Sequence, residues 1–392
     1  MDGADRDCIA LLNALNPEQF RVTWVGIAGC ENLRPHVEPQ VVREFLNVGL
    51  PPFSYLVREN ANLQRSPWLW TKIIADHLLR MREALQKLQQ GLRSDPPDVV
   101  ITNTCTVWLG AMYALLNRLP HVWLIKDCMD PRVKACRVKA RWMSWLSAAV
   151  IAPSSAVARP FRHPIHIFPD GTDVSAVIRG SNNVVREQVL QSLGLPVVRP
   201  VVAQIGTLEK IKGQHITAEA FVKLAAEKES PDFSLLFLGA ERGDYRKQVE
   251  AILSGASQAW QNAVRFASFP PEDFSFMATA DIVVHPSVIP DTFPNAVREA
   301  MILGKPVIAS RDGGLPEMID DGRTGILFET GNADELSQAM RRLIVSADER
   351  ERIGEAARSF ATSYFDINVR KHPFCELFYD LGPDINLPHR LA

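Results

Sequence analysis

The chain has little cysteine, and none of it is arranged. Cys8, Cys30, Cys105, Cys128, Cys136 and Cys375 are scattered through 392 residues without a CxxC pair. That excludes a zinc-ligand spacing or a disulfide framework and fits a reducing compartment. There is no run of about 18 apolar residues, so no segment reads as a membrane span. The opening MDGADRDCIALLNAL lacks the positive start and apolar core of a signal peptide. The expected location is the cytoplasm. His36, His121, His163, His166 and His285 show no metal-ligand spacing, and neither a metal nor a cofactor is expected. Net charge is nearly absent too, at −2 overall, but it is unevenly spread. Residues 1–180 hold 21 Lys/Arg against 16 Asp/Glu, and the remainder 22 against 29. A basic half suits an anionic partner or is simply a solvated surface.

What the sequence does have is ordinary globular composition, 46% apolar and 22% charged, over a length that calls for at least two domains. Short runs rich in Val, Ile and Phe alternate with stretches of helical period, the pattern of parallel strands joined by crossover helices. Strands are expected at 21–26, 52–56, 98–103, 122–126, 149–152 and 165–168. A second series is expected at 200–206, 234–239, 264–268, 282–285, 306–310 and 325–328. Between the two series, from 173 to 199, only one weak helix (183–193) is legible. The expected division is a first α/β domain over 1–180, a linker over 181–198, a second α/β domain over 199–365, and a terminal helix and tail over 366–392. One feature departs from the doubly wound pattern. The chain opens at what reads as a turn at Gly3 followed by a helix, so the first domain lacks the strand that normally lies at the centre of its sheet. An upstream start, a rearranged sheet and an inactive domain would each account for that.

The segment ADIVVHPSVIPDTFPNAVREAMILG (280–304) combines a buried strand, a loop with two prolines, and a helix closed by Gly304. Asp291 lies in the loop and Glu299 about one turn into the helix, with Pro294 near its first position. Two carboxylates can hold vicinal hydroxyls, and the amides of Phe293, Pro294, Asn295 and Ala296 flank a helix start that favours phosphate (proline itself has no N–H). A plain helix cap and a surface acid are the alternative for an isolated D-x7-E. Three other motifs surround it in order. GTLEKIKG (206–213) places Gly206 and Lys212 after a strand, where a turn and a lysine can meet a pyrophosphate. SRDGGLPE (310–317) places Gly313 and Gly314 before a short helix that carries Glu317. IHIFPDG (165–171) ends the first half at a tight turn.

In this order the motifs resemble family 4 glycosyltransferases of the GT-B fold. The likeness runs through VVHPS, PDTFPNAVREAM, GKPVIASRDGG, PE and DDGRTGILFETGNADEL over most of 200–365, and more loosely through DVVITNT, PHVWLIKD, APSSAVARPF and FPDGTD. The resemblance implies two Rossmann-like domains facing each other across a cleft. It implies transfer of a sugar from a nucleotide-diphosphate sugar to a hydroxyl acceptor, a glycan or lipid-linked glycan, with retention of configuration. Glu299 would hold the ribose, Asp291 and the amides after it the donor sugar, and Lys212 the leaving diphosphate. Asp127 would face the acceptor. The sequence departs from the family at three places: Asp291 stands where Glu is usual, Thr207 where many members carry an arginine, and Lys126 where a histidine precedes Asp127.

A basic segment follows Lys126: Arg132, Lys134, Arg137, Lys139 and Arg141, against Asp127 and Asp130, running into Trp142 and Trp145. It suits lipid headgroups or an anionic acceptor, or else is a solvated helix with its tryptophans in the core. The stretch 66–92 reads as a long amphipathic helix with Trp70, Ile73, Ile74, Leu78, Leu79, Leu85 and Leu88 on a core-packing face. The expected partners are a nucleotide sugar, a glycan or lipid-linked acceptor and an anionic membrane at its inner face, and no nucleic acid. Two rival functions stay open: a sugar-nucleotide 2-epimerase, and a non-catalytic sugar-nucleotide-binding homologue.

Overall fold

The computed structural model describes residues 3–26, 30–48, 67–130, 132–162, 165–182, 184–268 and 273–380. The chain falls into two units, 1–171 with 370–392, and 172–369. Every named strand pairing is parallel.

The second unit is built on β7 (Val201–Ile205), β8 (Ser234–Leu238), β9 (Val264–Ala267), β10 (Ile282–His285), β11 (Val307–Ser310) and β12 (Ile326–Phe328), in spatial order β12-β11-β10-β7-β8-β9. Both faces are covered. Val201, Ala203 and Ile205 of β7 point into one apolar layer and Val202 into the other, the period-two alternation of a pleated strand. This explains why these strands read as continuous apolar runs. Residues 173–199 hold two helices, Val174–Ser181 and Arg186–Ser192, where the sequence reading found one. Val174, Val177, Leu190 and Leu195 all pack into a core layer of the second unit. The first of these helices begins at Asp173, whose side chain accepts from the Ala176 amide at 2.8 Å, a cap that is easily missed before a helix of only eight residues.

In the first unit the parallel layer is in two pieces among the described residues. β1 (Val22–Gly26) pairs with β2 (Val42–Asn47). β3 (Val100–Asn103), β4 (His121–Leu124), β5 (Ala149–Ala152) and β6 (Ile165–Ile167) form a separate sheet in that order. The two pieces share apolar layers on both faces. Val25, Leu46 and Val100 meet Leu88, Leu109 and Tyr113 on one side, and Val22 and Val99 join Leu15, Val122 and Ile151 on the other. β4 and β5 are buried throughout, whereas β1 is mostly half-buried and Ile101 of β3 is 42% exposed. The layer is thus interrupted between β1 and β3, where a doubly wound sheet has its central strand.

β2 was not anticipated from sequence, and the strand expected at 52–56 lies outside the described residues. The long helix is Pro67–Gly91. Leu88 is buried and Leu85 packs beside it, but Leu78 and Leu79 are 58% and 60% exposed, so of these four residues of the expected apolar face only the later two reach a core. The terminal helix Ile367–Asp380 buries Phe374 and Leu377 against Val122 and Leu124 of the first unit.

Candidate active site

The chain runs from β7 outward to β8 and β9, then returns to lay β10 on the other side of β7 and continues to β11 and β12. Connections on the two sides of β7 therefore leave in opposite directions. Such a switch point opens a crevice beyond the carboxyl ends of the two strands. The loops after β7 and β10 carry Lys212 and Asp291, and the two side chains meet there: Lys212 Nζ is 2.7 Å from Asp291 Oδ2.

Each side chain is held by its own loop. Gly206 leaves β7 at φ 145°, and Lys210–Lys212 make one 3-10 turn ended by Gly213 at φ 73°. A Cβ on Gly213 would stand 1.9 Å from the Pro286 carbonyl oxygen, so only glycine lets this turn lie against the loop after β10. The Ile211 carbonyl accepts from the Val288 amide and the Ser287 hydroxyl at 3.0 and 3.1 Å. From below, Gln204 of β7, 2% exposed, donates to the Lys212 carbonyl at 2.8 Å and accepts from the Thr217 hydroxyl at 2.6 Å.

Asp291 is gripped from three directions. Its Oδ1 accepts the Thr292 amide at 3.0 Å, its carbonyl accepts the Gly314 amide at 2.8 Å, and His285 Nε2 lies 3.1 Å from Oδ2. A carboxylate only accepts, so the imidazole carries its proton on Nε2. Burial alone would push the Asp291 carboxyl up. The His285 hydrogen bond and the Lys212 charge outweigh it and hold the group well below the usual carboxylate range. The site is therefore anionic at one point and cationic 2.7 Å away, with both groups partly open to solvent, a pair that can meet sugar hydroxyls and phosphate together.

Most of the other expected residues fall close by. Gly313, at φ 61°, lies under Asp291, where an added Cβ would be 2.1 Å from the Asp291 carbonyl oxygen. Pro294 caps the helix Asn295–Ile302, which carries Ala296 and Glu299, the latter 4% exposed. The Phe293 ring is core, edge-on to Phe365 at 5.6 Å, and the residue as a whole is 2% exposed. Glu317 lines a different hollow of about 440 Å³, with Arg311, Asp320, Asp321, Arg323 and Phe360 among its other walls; the Lys212–Asp291 pair is not part of that lining. Its helix Leu315–Met318 begins at Gly314.

In the first unit Asp127 Oδ2 accepts the Cys105 amide at 3.2 Å, so the carboxylate braces the loop after β3. Lys126 is 10% exposed, paired with Asp170 and 4.0 Å from Asp7. Neighbouring Cys8 is half-buried, and its partial burial pushes its thiol up to about 12. No group of three metal-ligating side chains occurs among the described residues, and no helix there is long and apolar enough to cross a membrane.

His285 and Gln204 were not singled out from sequence, although each breaks an otherwise apolar strand near its carboxyl end. A polar side chain at such a place must find a partner, and that was the signal available.

A parallel sheet with loops converging at its switch point, in a chain of two α/β units, defines the GT-B class, and solved structures agree. HepE of Anabaena, crystallised with UDP and glucose, superposes with a TM-score of 0.75 at 22% identity over 97% of this chain and 96% of that one. A glycosyltransferase of Rickettsia africae gives 0.75 at 17% identity over 97% and 95%. Residues 185–360 match the family model of glycosyl transferases group 1. Among curated relatives, a D-inositol 3-phosphate glycosyltransferase of Corynebacterium jeikeium is 30% identical over 222 residues, 56% of this chain and 52% of the relative. Spore coat protein SA of Bacillus subtilis is 32% identical over 189 residues, 46% and 48%. The chain spans about half the length of the curated relatives it matches.

Proposed function

We propose that the protein is a glycosyltransferase that moves a sugar from a nucleoside-diphosphate sugar to a hydroxyl of a glycan or lipid-linked glycan, with retention of configuration. The observation that carries this is the meeting of Lys212 and Asp291 at the switch point of the second unit. The barrier to glycosyl transfer lies in expelling a nucleoside diphosphate while positive charge grows at the anomeric carbon. An ammonium has three N–H donors, and Asp291 Oδ2 engages one of them, so Lys212 can turn others toward the β-phosphate without leaving the carboxylate. Asp291, kept ionised by His285 and Lys212, accepts from sugar hydroxyls. Glu299, on the helix that starts just after this loop, takes the ribose hydroxyls. The UDP-glucose complex of HepE makes that donor the first to try.

The test is slow hydrolysis of labelled nucleotide sugars by the purified full chain, followed by transfer to candidate acceptors. Lys212→Ala should lower turnover about 100-fold or more, the loss typical of removing one preorganised charge-stabilising donor. Glu299→Gln should chiefly raise KM. Hydrolysis by both variants at the parent rate defeats the assignment. Conversion of donor to its 2-epimer without acceptor would replace transfer by isomerisation.

A further inference from the structure

The helix Lys134–Leu146 of the first unit, KACRVKARWMSWL, differs from the other long surface helices in having cations without acids. Elsewhere such cations are matched along the same helix, as in Arg80 with Asp76 and Arg246 with Glu250. Here Lys134, Arg137, Lys139 and Arg141 share their helix with no carboxylate, and Arg137 donates to the Arg132 carbonyl at 3.2 Å. The nearest in sequence, Asp130, is taken by Arg132 at 3.0 Å. Lys139 points to the rear and donates to Cys105 Sγ at 3.1 Å. Ala140, Met143 and Ser144 make the buried side.

The outward side has an order of its own. At about 100° per residue, Arg137, Arg141 and Lys134 fall along one edge, and Trp145, Val138 and Trp142 along the edge beside it. All six are exposed. Trp142 is 54% accessible, Val138 47% and Trp145 37%, and Val133 just before the helix 47%. The two indoles lie edge to face at 5.4 Å. The tryptophans are therefore not core. A basic strip alone would suit a nucleic acid or an acidic protein. A basic strip running beside an apolar strip that ends in two tryptophans matches a layer with anionic headgroups outside and hydrocarbon just beneath.

We propose that this face docks the protein on an anionic lipid bilayer, with Lys134, Arg137 and Arg141 at the phosphates and Val138, Trp142 and Trp145 inserted below them. The proposal is independent of the transfer reaction, since it is read by binding alone. The full chain is floated with phosphatidylcholine vesicles with and without phosphatidylglycerol, at low and high salt. Binding should need the anionic lipid and weaken with salt. Replacing Lys134, Arg137 and Arg141 together with Gln should weaken it about 100-fold, from the typical contribution of a basic residue near such a surface. Trp142→Ser with Trp145→Ser should weaken it further. Brominated lipid should quench the parent's fluorescence more than that of the Trp142→Phe, Trp145→Phe chain, a readout that needs no disruptive change. Absence of vesicle binding, equal binding to neutral vesicles, binding to an oligonucleotide in place of vesicles, or binding unaltered in these variants overturns the proposal.

Discussion

The sharpest prediction concerns Gly313, because two glycines separate backbone strain from collision. Gly313 (φ 61°) and Gly322 (φ 77°) both sit in the left-handed region. At Gly322 an added Cβ meets nothing within 4 Å. At Gly313 it would stand 2.1 Å from the Asp291 carbonyl oxygen and 2.7 Å from its nitrogen. Gly322→Ala therefore costs only the left-handed penalty, about 1–2 kcal/mol. Gly313→Ala costs the same and must also drive Asp291 off by about 1 Å, loosening the Gly314–Asp291 hydrogen bond at about 1 kcal/mol more. The carboxylate moves with its backbone, and a displacement of that size at a reacting centre costs about 100-fold in rate. Chemical denaturation should rank parent, Gly322→Ala and Gly313→Ala in falling stability. Donor hydrolysis should fall only in the last. If the two variants match in both stability and hydrolysis, the loop carrying Asp291 is not seated on Gly313 as argued.

Gln204→Leu strips the Lys212 carbonyl and the Thr217 hydroxyl of their buried partner. It should cost about 2–3 kcal/mol in denaturant unfolding and lower donor hydrolysis, while Gln204→Glu should recover the Thr217 contact but not the Lys212 one. His121, buried between Thr102 and Ser147, has its pKa lowered to about 3 by burial. The unfolded chain then binds the proton between pH 6.5 and 3, so the stabilisation is complete above pH 6.5 and is lost as pH falls. Between pH 6.5 and 5 the loss is about 2 kcal/mol. Denaturant midpoints should fall over that interval in the parent and fall less in His121→Asn; equal slopes would show that the imidazole is not held neutral.

How far the fold was legible depends on what each pattern measures. The strands of the second unit were read to within a residue or so of their observed ends because sheets covered on both faces demand unbroken apolar runs. β2 escaped notice because VREFLN interleaves Arg43, Glu44 and Asn47 with apolar residues, and it pairs only with β1. Helical periodicity placed Pro67–Gly91 well, but a period says which residues share a face, not what covers it, and Leu78 and Leu79 are covered by little. The same blindness applied to Trp142 and Trp145. Composition suggested core, and only the path of the neighbouring chain shows them outward.

The site was legible in its parts and not in its assembly. Lys212 and Asp291 each follow a recognisable strand, but 79 positions separate them, and nothing local says that they touch. Contact follows from strand order: with β8 and β9 on one side and β10 returning to the other, β7 and β10 become neighbours and their loops must share one crevice. The same adjacency explains His285. It ends β10 directly beneath the loop that it stabilises, and its partner lies only six residues ahead, yet the bond exists because the intervening loop, pinned by Ile211 at Ser287 and Val288, turns back over its own strand. A strand swap that moved β10 to the outer edge would keep every motif in the sequence and abolish the pair, so it is topology that turns these separate loops into one site.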